Sequence, residues 1–317
     1  MSRSSVADRQ DADREFCHQA LVYSTTEDLL AAVVPFIDAG RERGDTVLVV
    51  SPHADTVRDA LASTEGVEFL DTDQWHQVPA RTIAAYASCA QKSAAQGRRV
   101  RAIAEIGWDS RAEKQIAEWH RFESVLNHAL VDVGPRILCP YDQSRLPRSV
   151  LDTALTTHPT VATTAGSKPS DAYLDPIEWS TTHGSQPSPP APADALQIAF
   201  GAVEIPAVRR MTRAWAAAAG LTEEAVEGLL IAVYELASNA VEHGSGRGVA
   251  RFWSWGEYLL CEVASSRPIS DPLAGFRPPG TSQERGRGRW LVRQIGENVE
   301  IINGPTGATV RVWYPLR

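Results

Sequence analysis

Two hydrophobic periods alternate along the first half of the chain. Short β-branched or apolar runs at Ala20–Ser24, Thr46–Ser51, Val67–Asp71, Arg99–Trp108 and Arg136–Asp142 predict strands. Between them, Glu27–Arg43, Asp55–Ser63, Ala80–Gln96 and Arg111–Val133 predict helices. Strands alternating with helices of this length form βαβ units, so an α/β fold with a parallel sheet covered on both faces is expected. Ligands of such sheets bind outside the carboxyl ends of the strands. The turn after the first strand, YSTTEDLL from Tyr23 to Leu30, has neither glycine nor lysine and is not a P-loop. Ser24, Thr25 and Thr26 read instead as helix caps, with Thr26 set before the acidic pair Glu27 and Asp28.

The second half has a different order. Val208–Ala219 and Glu223–Val241 predict two helices, with Thr222 capping the second and Gly220 and Gly244 expected as left-handed C-caps. Strands are expected at Val249–Trp255 and Tyr258–Ala264, followed by an irregular stretch from Ser265 to Arg285. A helix from about Gly288 to Glu297 and a hairpin of Val299–Asn303 with Thr309–Tyr314 close the chain. Helices gathered before and between antiparallel strands predict an α+β sandwich. Between the halves the periodicity fades into Ser, Thr, Pro and Gly, ending in PSPPAP from Pro187 to Pro192, an extended spacer. Tyr173, Ile177 and Trp179 interrupt it and are expected to dock on a neighbouring domain. The boundaries that follow are a domain over residues 16–160, a spacer over 161–195 and a domain over 196–317.

Composition narrows the function classes. A chain of 317 residues, 43% hydrophobic, can bury two cores. With 39 acidic and 31 basic side chains the net charge is −8, which argues against a nucleic-acid surface. The imbalance is uneven: residues 196–317 hold 13 arginines against 12 acids, so the acidic excess lies in the first half. No apolar run is long enough to span a membrane, and the N-terminal MSRSSVADRQDADREF lacks the apolar core of a signal peptide. A cytoplasmic protein is expected. Cys17, Cys89, Cys139 and Cys261 form no CxxC pair and are expected to act as small buried hydrophobes.

The helix after the fourth strand carries the first candidate chemistry. Ile116, Trp119, Phe122, Leu126 and Leu130 make an apolar stripe, beside which Glu123 and Asn127 share a face, with His120 one turn before. Spacing alone is compatible with a core-facing helix with a solvated flank, or with a pocket in which Trp119 supplies surface and Glu123 or His120 a polar anchor. The run Gln19–Tyr23, EIGW (Glu105–Trp108), WHRFESVLN (Trp119–Asn127), CPYD (Cys139–Asp142) and His158–Pro159 resembles the MEDS sensory domain, over about residues 16–160. That resemblance implies a RecA-like sheet without a P-loop, and a sensing rather than catalytic module for a small-molecule signal. Trp108, Trp119, His120, Glu123 and Asn127 are its candidate signal-binding residues.

In the second half Glu235, Asn239 and His243 stand four apart in ELASNAVEHG and so line one side of an otherwise apolar helix. Such a row is compatible with a solvated helix edge or with a site for hydrated Mg²⁺ and a triphosphate. Gly286 and Gly288 in ERGRGRWLVRQI stand at a helix start among Arg285, Arg287 and Arg289, a pattern suited to anions. Together these resemble the GHKL (Bergerat) ATPase fold, and more narrowly the anti-sigma-factor serine kinases of bacterial partner-switching systems, over residues 197–317. The resemblance implies a two-layer α+β sandwich that uses ATP and Mg²⁺. It implies Glu235 as catalytic base, Asn239 as Mg²⁺ ligand, His243 near the phosphates, and Arg285, Gly286, Arg287 and Gly288 in the nucleotide loop.

One family element departs. Where that fold has an Asp-x-Gly-x-Gly turn whose aspartate binds the adenine amino group, this chain has Ser265 in the aspartate's place and Arg267 in a glycine's. Asp271 and Gly275 follow at a different spacing. Losing that carboxylate costs about 1.5–3 kcal/mol, roughly ten- to a hundredfold in affinity. Three functions are therefore in play. The first is a regulator binding a sigma factor or an anti-anti-sigma protein, phosphorylating it on serine where active, and dimerising as its relatives do. The second is a pseudokinase binding module. The third, the ATP-binding part of a histidine kinase, requires a phosphoacceptor hairpin where this chain has its proline-rich spacer.

Overall fold

The computed structural model describes residues 16–111, 113–163, 166–183, 189–279 and 287–316. The chain divides into two compact units, Met1–His183 and Gly184–Arg317.

The first unit holds a seven-stranded sheet. Its strands are β1 (Cys17–Tyr23), β2 (Thr46–Val50), β3 (Val67–Leu70), β4 (Val100–Ala104), β5 (Arg136–Asp142), β6 (Thr160–Thr163) and β7 (Gly166–Pro169), in the order β3-β2-β4-β5-β1-β6-β7. All neighbours run parallel except β7, which returns antiparallel along β6. Helices α1 (Thr26–Arg43), α2 (Ala54–Ala60), α3 (Thr72–Trp75), α4 (Pro79–Ala94), α5 (Glu113–Ala129), α6 (Arg148–Thr157) and α7 (Pro176–Thr182) connect or follow the strands. The buried runs VLVV of β2 and all five residues of β4 are what a sheet covered on both faces requires.

Three local expectations narrow or change. Of the three cap candidates before α1, Thr25 is the one used: its hydroxyl accepts from the Asp28 N–H, and the Asp28 carboxylate reaches back to the Thr25 N–H, a reciprocal pair that places Thr26 inside the helix. Strand β4 stops at Ala104 rather than Trp108, because the Glu105 side chain is drawn into a polar cluster and Trp108–Ser110 forms a 3₁₀ turn. Residues 161–183, assigned to the spacer by their composition, contribute most of β6 and all of β7 and α7 to the first unit. Trp179 of α7 is buried there and donates to Thr156 Oγ1 at 3.0 Å, as expected of a docking residue, whereas Ile177 stays exposed.

The second unit is a two-layer sandwich. Strands β8 (Leu196–Phe200), β9 (Gly248–Trp255), β10 (Tyr258–Ser265), β11 (Asn298–Gly304) and β12 (Gly307–Pro315) form an antiparallel sheet in the order β11-β12-β10-β9-β8. One face packs against α8 (Ile205–Ala218), α9 (Glu223–His243) and α10 (Arg287–Ile295) through Leu229, Val233, Leu236, Phe252, Cys261, Val292 and Val312. Thr222 caps α9 as expected, accepting from the Ala225 N–H at 3.3 Å, and Gly220 is left-handed at φ 82°. Gly244 is not: its φ is −92° and ψ −141°, so α9 ends by turning into extended backbone, where a β-carbon would overlap the Ala240 carbonyl oxygen.

On the opposite face a row of charge crosses the sheet. Glu262 of β10 accepts from Arg311 of β12 at 2.8 and 3.1 Å and from Arg251 of β9 at 2.9 Å. The tail of the spacer covers this row: Arg311 donates to the Pro189 carbonyl at 2.9 Å, and Ala191 and Ala195 pack against Trp253, Leu260 and Trp313. Among the described residues no helix is long and apolar enough to cross a membrane.

Candidate functional site

In the first unit, strand order does what spacing along the chain could not. β1 lies between β5 and β6, so His18 of β1, Cys139 of β5 and His158, just before β6, meet in one layer beneath α5. Glu123 of α5 points into the same space. The four donor groups are buried and lie within 4.8 Å of one another. His18 Nε2 is 3.1 Å from Glu123 Oε2 and 3.4 Å from Cys139 Sγ, and His158 Nε2 is 3.5 Å from Glu123 Oε2.

The ring orientations follow from what lies behind them. Asn127 donates its amide N–H to the Thr157 and Ser124 carbonyls at 2.7 and 3.1 Å, which turns its oxygen toward His18 Nδ1 at 3.1 Å. His158 Nδ1 faces the Ala154 carbonyl at 2.8 Å. A carbonyl oxygen only accepts, so both rings carry their proton on Nδ1 and present Nε2 lone pairs to Glu123. Burial lowers both histidines to about 3, so neither forms a true ion pair with Glu123 despite the short contacts. Burial also raises Glu123 to about 7, and pushes the Cys139 thiol well up.

Of the sequence candidates, Glu123 and Asn127 therefore belong to this cluster. Trp108 and His120 do not; they stand side by side with ring centres 5.0 Å apart, Trp108 also stacking on Tyr141. Trp119 is a core side chain, packed among His76, Phe122 and the Arg111 guanidinium. Sequence reasoning missed His18 and His158 as members of one site and read Cys139 as a plain hydrophobe. It also missed Glu105, which sits at the carboxyl ends of β1, β2 and β4, accepting from Tyr23 at 2.9 Å and from Ser51. Burial raises Glu105 as well.

In the second unit a cleft of about 350 Å³ opens between α9, the end of β10 and the start of α10. Asn239, His243, Ser265 and Asp271 line it, with Arg267 and Arg289. Gly288 lies against Glu235 and Asn239 so closely that a β-carbon would overlap Glu235 Oε2 and stand 3.3 Å from Asn239 Nδ2. The start of α10 thus rests on the polar row of α9, and any side chain at Gly288 would push the Glu235 carboxylate aside. Arg287 begins α10 and is exposed, whereas Arg285 and Gly286 lie outside the described residues.

These residues fit a nucleotide at one end of the cleft and less well at the other. The Asn239 amide nitrogen is buried without a hydrogen-bond partner, beside a helix start and Arg289, which suits a phosphate oxygen. At the far end the Ser265 hydroxyl turns to the Arg267 carbonyl at 3.4 Å, and Arg267 reaches the His243 carbonyl at 3.5 Å. Asp271 caps its own turn, accepting from the Leu273 N–H at 2.9 Å. Asn303 holds this segment by bonding both the N–H and the carbonyl of Ile269 at 2.9 Å.

Comparison with known proteins finds a family model for each unit. Residues 17–159 match the family model of the MEDS domain, the methanogen/methylotroph, DcmR sensory domain. Residues 201–314 match that of the histidine kinase-like ATPase domain. No curated protein matches the chain. Among solved structures it is similar to the RsbU and RsbW domains of Rv1364c from Mycobacterium tuberculosis, at 20% identity and a TM-score of 0.30. That match covers 39% of this chain and 33% of the other, so the chain spans about a third of that relative's length. The first unit thus carries a MEDS domain and the second a histidine kinase-like ATPase domain.

Proposed function

We propose that the chain is a cytoplasmic signalling regulator that senses a small-molecule signal through its first domain and binds a protein partner through its second, under nucleotide control. The observation that carries this reading is the meeting of Glu235, Asn239 and Gly288 at one end of the second domain's cleft. When bound, Mg-ATP would supply the phosphoryl group. Asn239 would ligate the Mg²⁺, and the start of α10 with Arg287 and Arg289 would neutralise phosphate charge. Glu235 would accept the proton of an attacking serine hydroxyl. The partner class is a sigma factor or an anti-anti-sigma protein, and the ATPase domain is the expected dimer contact.

The second reading is a binding module without turnover, and the altered adenine end favours it. Calorimetric titration of the full chain with Mg-ATP separates the two. Magnesium-dependent binding that disappears in Asn239→Ala supports nucleotide control, whereas no heat with the wild-type chain leaves only partner sequestration. Recovery of neither a sigma factor nor an antagonist-like protein with the tagged chain counts against both.

A further inference from the structure

We infer that His18, Glu123, Cys139 and His158 form a binding site in the sensory domain for a borderline-soft divalent transition ion, Zn²⁺ fitting best. The first support is the donor set. Two imidazoles, one thiolate and one carboxylate are ligands that suit Zn²⁺, which takes four of them in a tetrahedron. The second is size. With bonds of about 2.0–2.3 Å, the edges of such a tetrahedron are roughly 3.3–3.7 Å. Four of the six edges here are 3.1, 3.4, 3.5 and 3.8 Å, and all lie within 4.8 Å.

The third support is the direction of the lone pairs. Both rings donate Nδ1–H to an oxygen behind them, His158 to Ala154 and His18 to Asn127. That arrangement fixes the tautomer and aims both Nε2 atoms inward, as outer partners of metal-bound histidines do. His158 Nε2 is fully buried and has no hydrogen-bond partner. A buried acceptor facing a carboxylate is costly unless a proton or cation stands between them. The fourth support is charge. One thiolate and one carboxylate offset a divalent ion, so a loaded site is neutral, as complete burial demands.

The ligands come from β1, α5, β5 and the turn between α6 and β6, so an ion would tie four elements of the sensory domain into one unit. The site is separate from the ATPase cleft, and its test does not depend on nucleotide binding.

The test is metal analysis of the full chain after chelation and reloading with Zn²⁺ or Co²⁺. One ion per chain is expected, and zinc-edge X-ray absorption should read one sulfur and three lighter neighbours. Cys139→Ser should remove the sulfur signal and the thiolate-to-cobalt charge-transfer band, whereas Cys17→Ser should keep both. Asn127→Ala, which removes the oxygen behind His18 Nδ1, should weaken binding about ten- to a hundredfold. Should Cys139→Ser not fold, the wild-type absorption spectrum decides on its own. No bound ion, a shell without sulfur, or a charge-transfer band that survives Cys139→Ser would overturn the assignment.

Discussion

Gly288 and Glu235 occupy the same small space: the first turn of α10 stands where a β-carbon would overlap the carboxylate oxygen of α9. The contact makes the glycine a requirement of the site more than of the helix. Gly288→Ala should leave the melting temperature nearly unchanged, since the free end of Glu235 can swing aside. It should nevertheless weaken Mg-ATP binding at least tenfold in calorimetry, because the displaced carboxylate then crowds the phosphate end. Unchanged affinity would show that nucleotide does not approach this contact.

Restoring the missing acceptor at the other end should act in the opposite direction. Ser265→Asp with Arg267→Gly supplies a carboxylate and clears the arginine from the cleft lining. A buried hydrogen bond to a charged group contributes about 1.5–3 kcal/mol, so ATP affinity should rise roughly ten- to a hundredfold. The same pair should not alter magnesium-dependent binding of inorganic pyrophosphate, which touches only the phosphate end.

His76 makes acid stability measurable. Both its ring nitrogens are buried without partners, and burial, with the Arg111 charge nearby, lowers it to about 3. The folded value lies below the unfolded value of 6.5, so the unfolded chain takes up the proton first. The stability is complete above 6.5 and is lost as pH falls from there toward about 3. Melting temperature should fall as the pH drops through that window, and fall less steeply in His76→Phe. Equal slopes would mean that His76 is protonated in the folded state.

The Glu262–Arg311 pair predicts a non-additive cost. Both residues are buried, 3% exposed each, so Glu262→Ala strips Arg311 of its buried carboxylate partner. Breaking one partner of such a pair costs about 3–5 kcal/mol, while replacing both with apolar residues is often near neutral. Urea denaturation should therefore show Glu262→Leu with Arg311→Met to be more stable than Glu262→Leu alone. Arg251 and Glu300 lie beside the pair and should carry the remaining coupling.

Much of this was legible in the sequence, for reasons that are local. The strand–helix alternation survives because each element writes its own period, and the Glu235–Asn239–His243 row survives because one helix holds all three. Spacing also placed Glu123 and Asn127 on a shared face. It could not place His18, Cys139 and His158 there, since only the β5-β1-β6 order brings together residues separated by more than a hundred positions. The sequence offered Ser24, Thr25 and Thr26 as caps alike, and only Asp28 reaching back to the Thr25 N–H chooses among them. Glu105 hid inside a run of strand-forming residues that its own hydrogen bonds cut short.

The antiparallel return of β7 along β6 has a practical bearing on solubility. A parallel sheet that ends in an open strand offers its unpaired amides to any passing chain. Here the outermost strand is four exposed residues, Gly166 to Pro169, with a lysine and a proline at its end, a poor template for further pairing. A fragment of the first unit cut at residue 160 would lose that guard together with Trp179, baring the edge of β1. Such a fragment should aggregate, and one carried through residue 183 should stay dispersed.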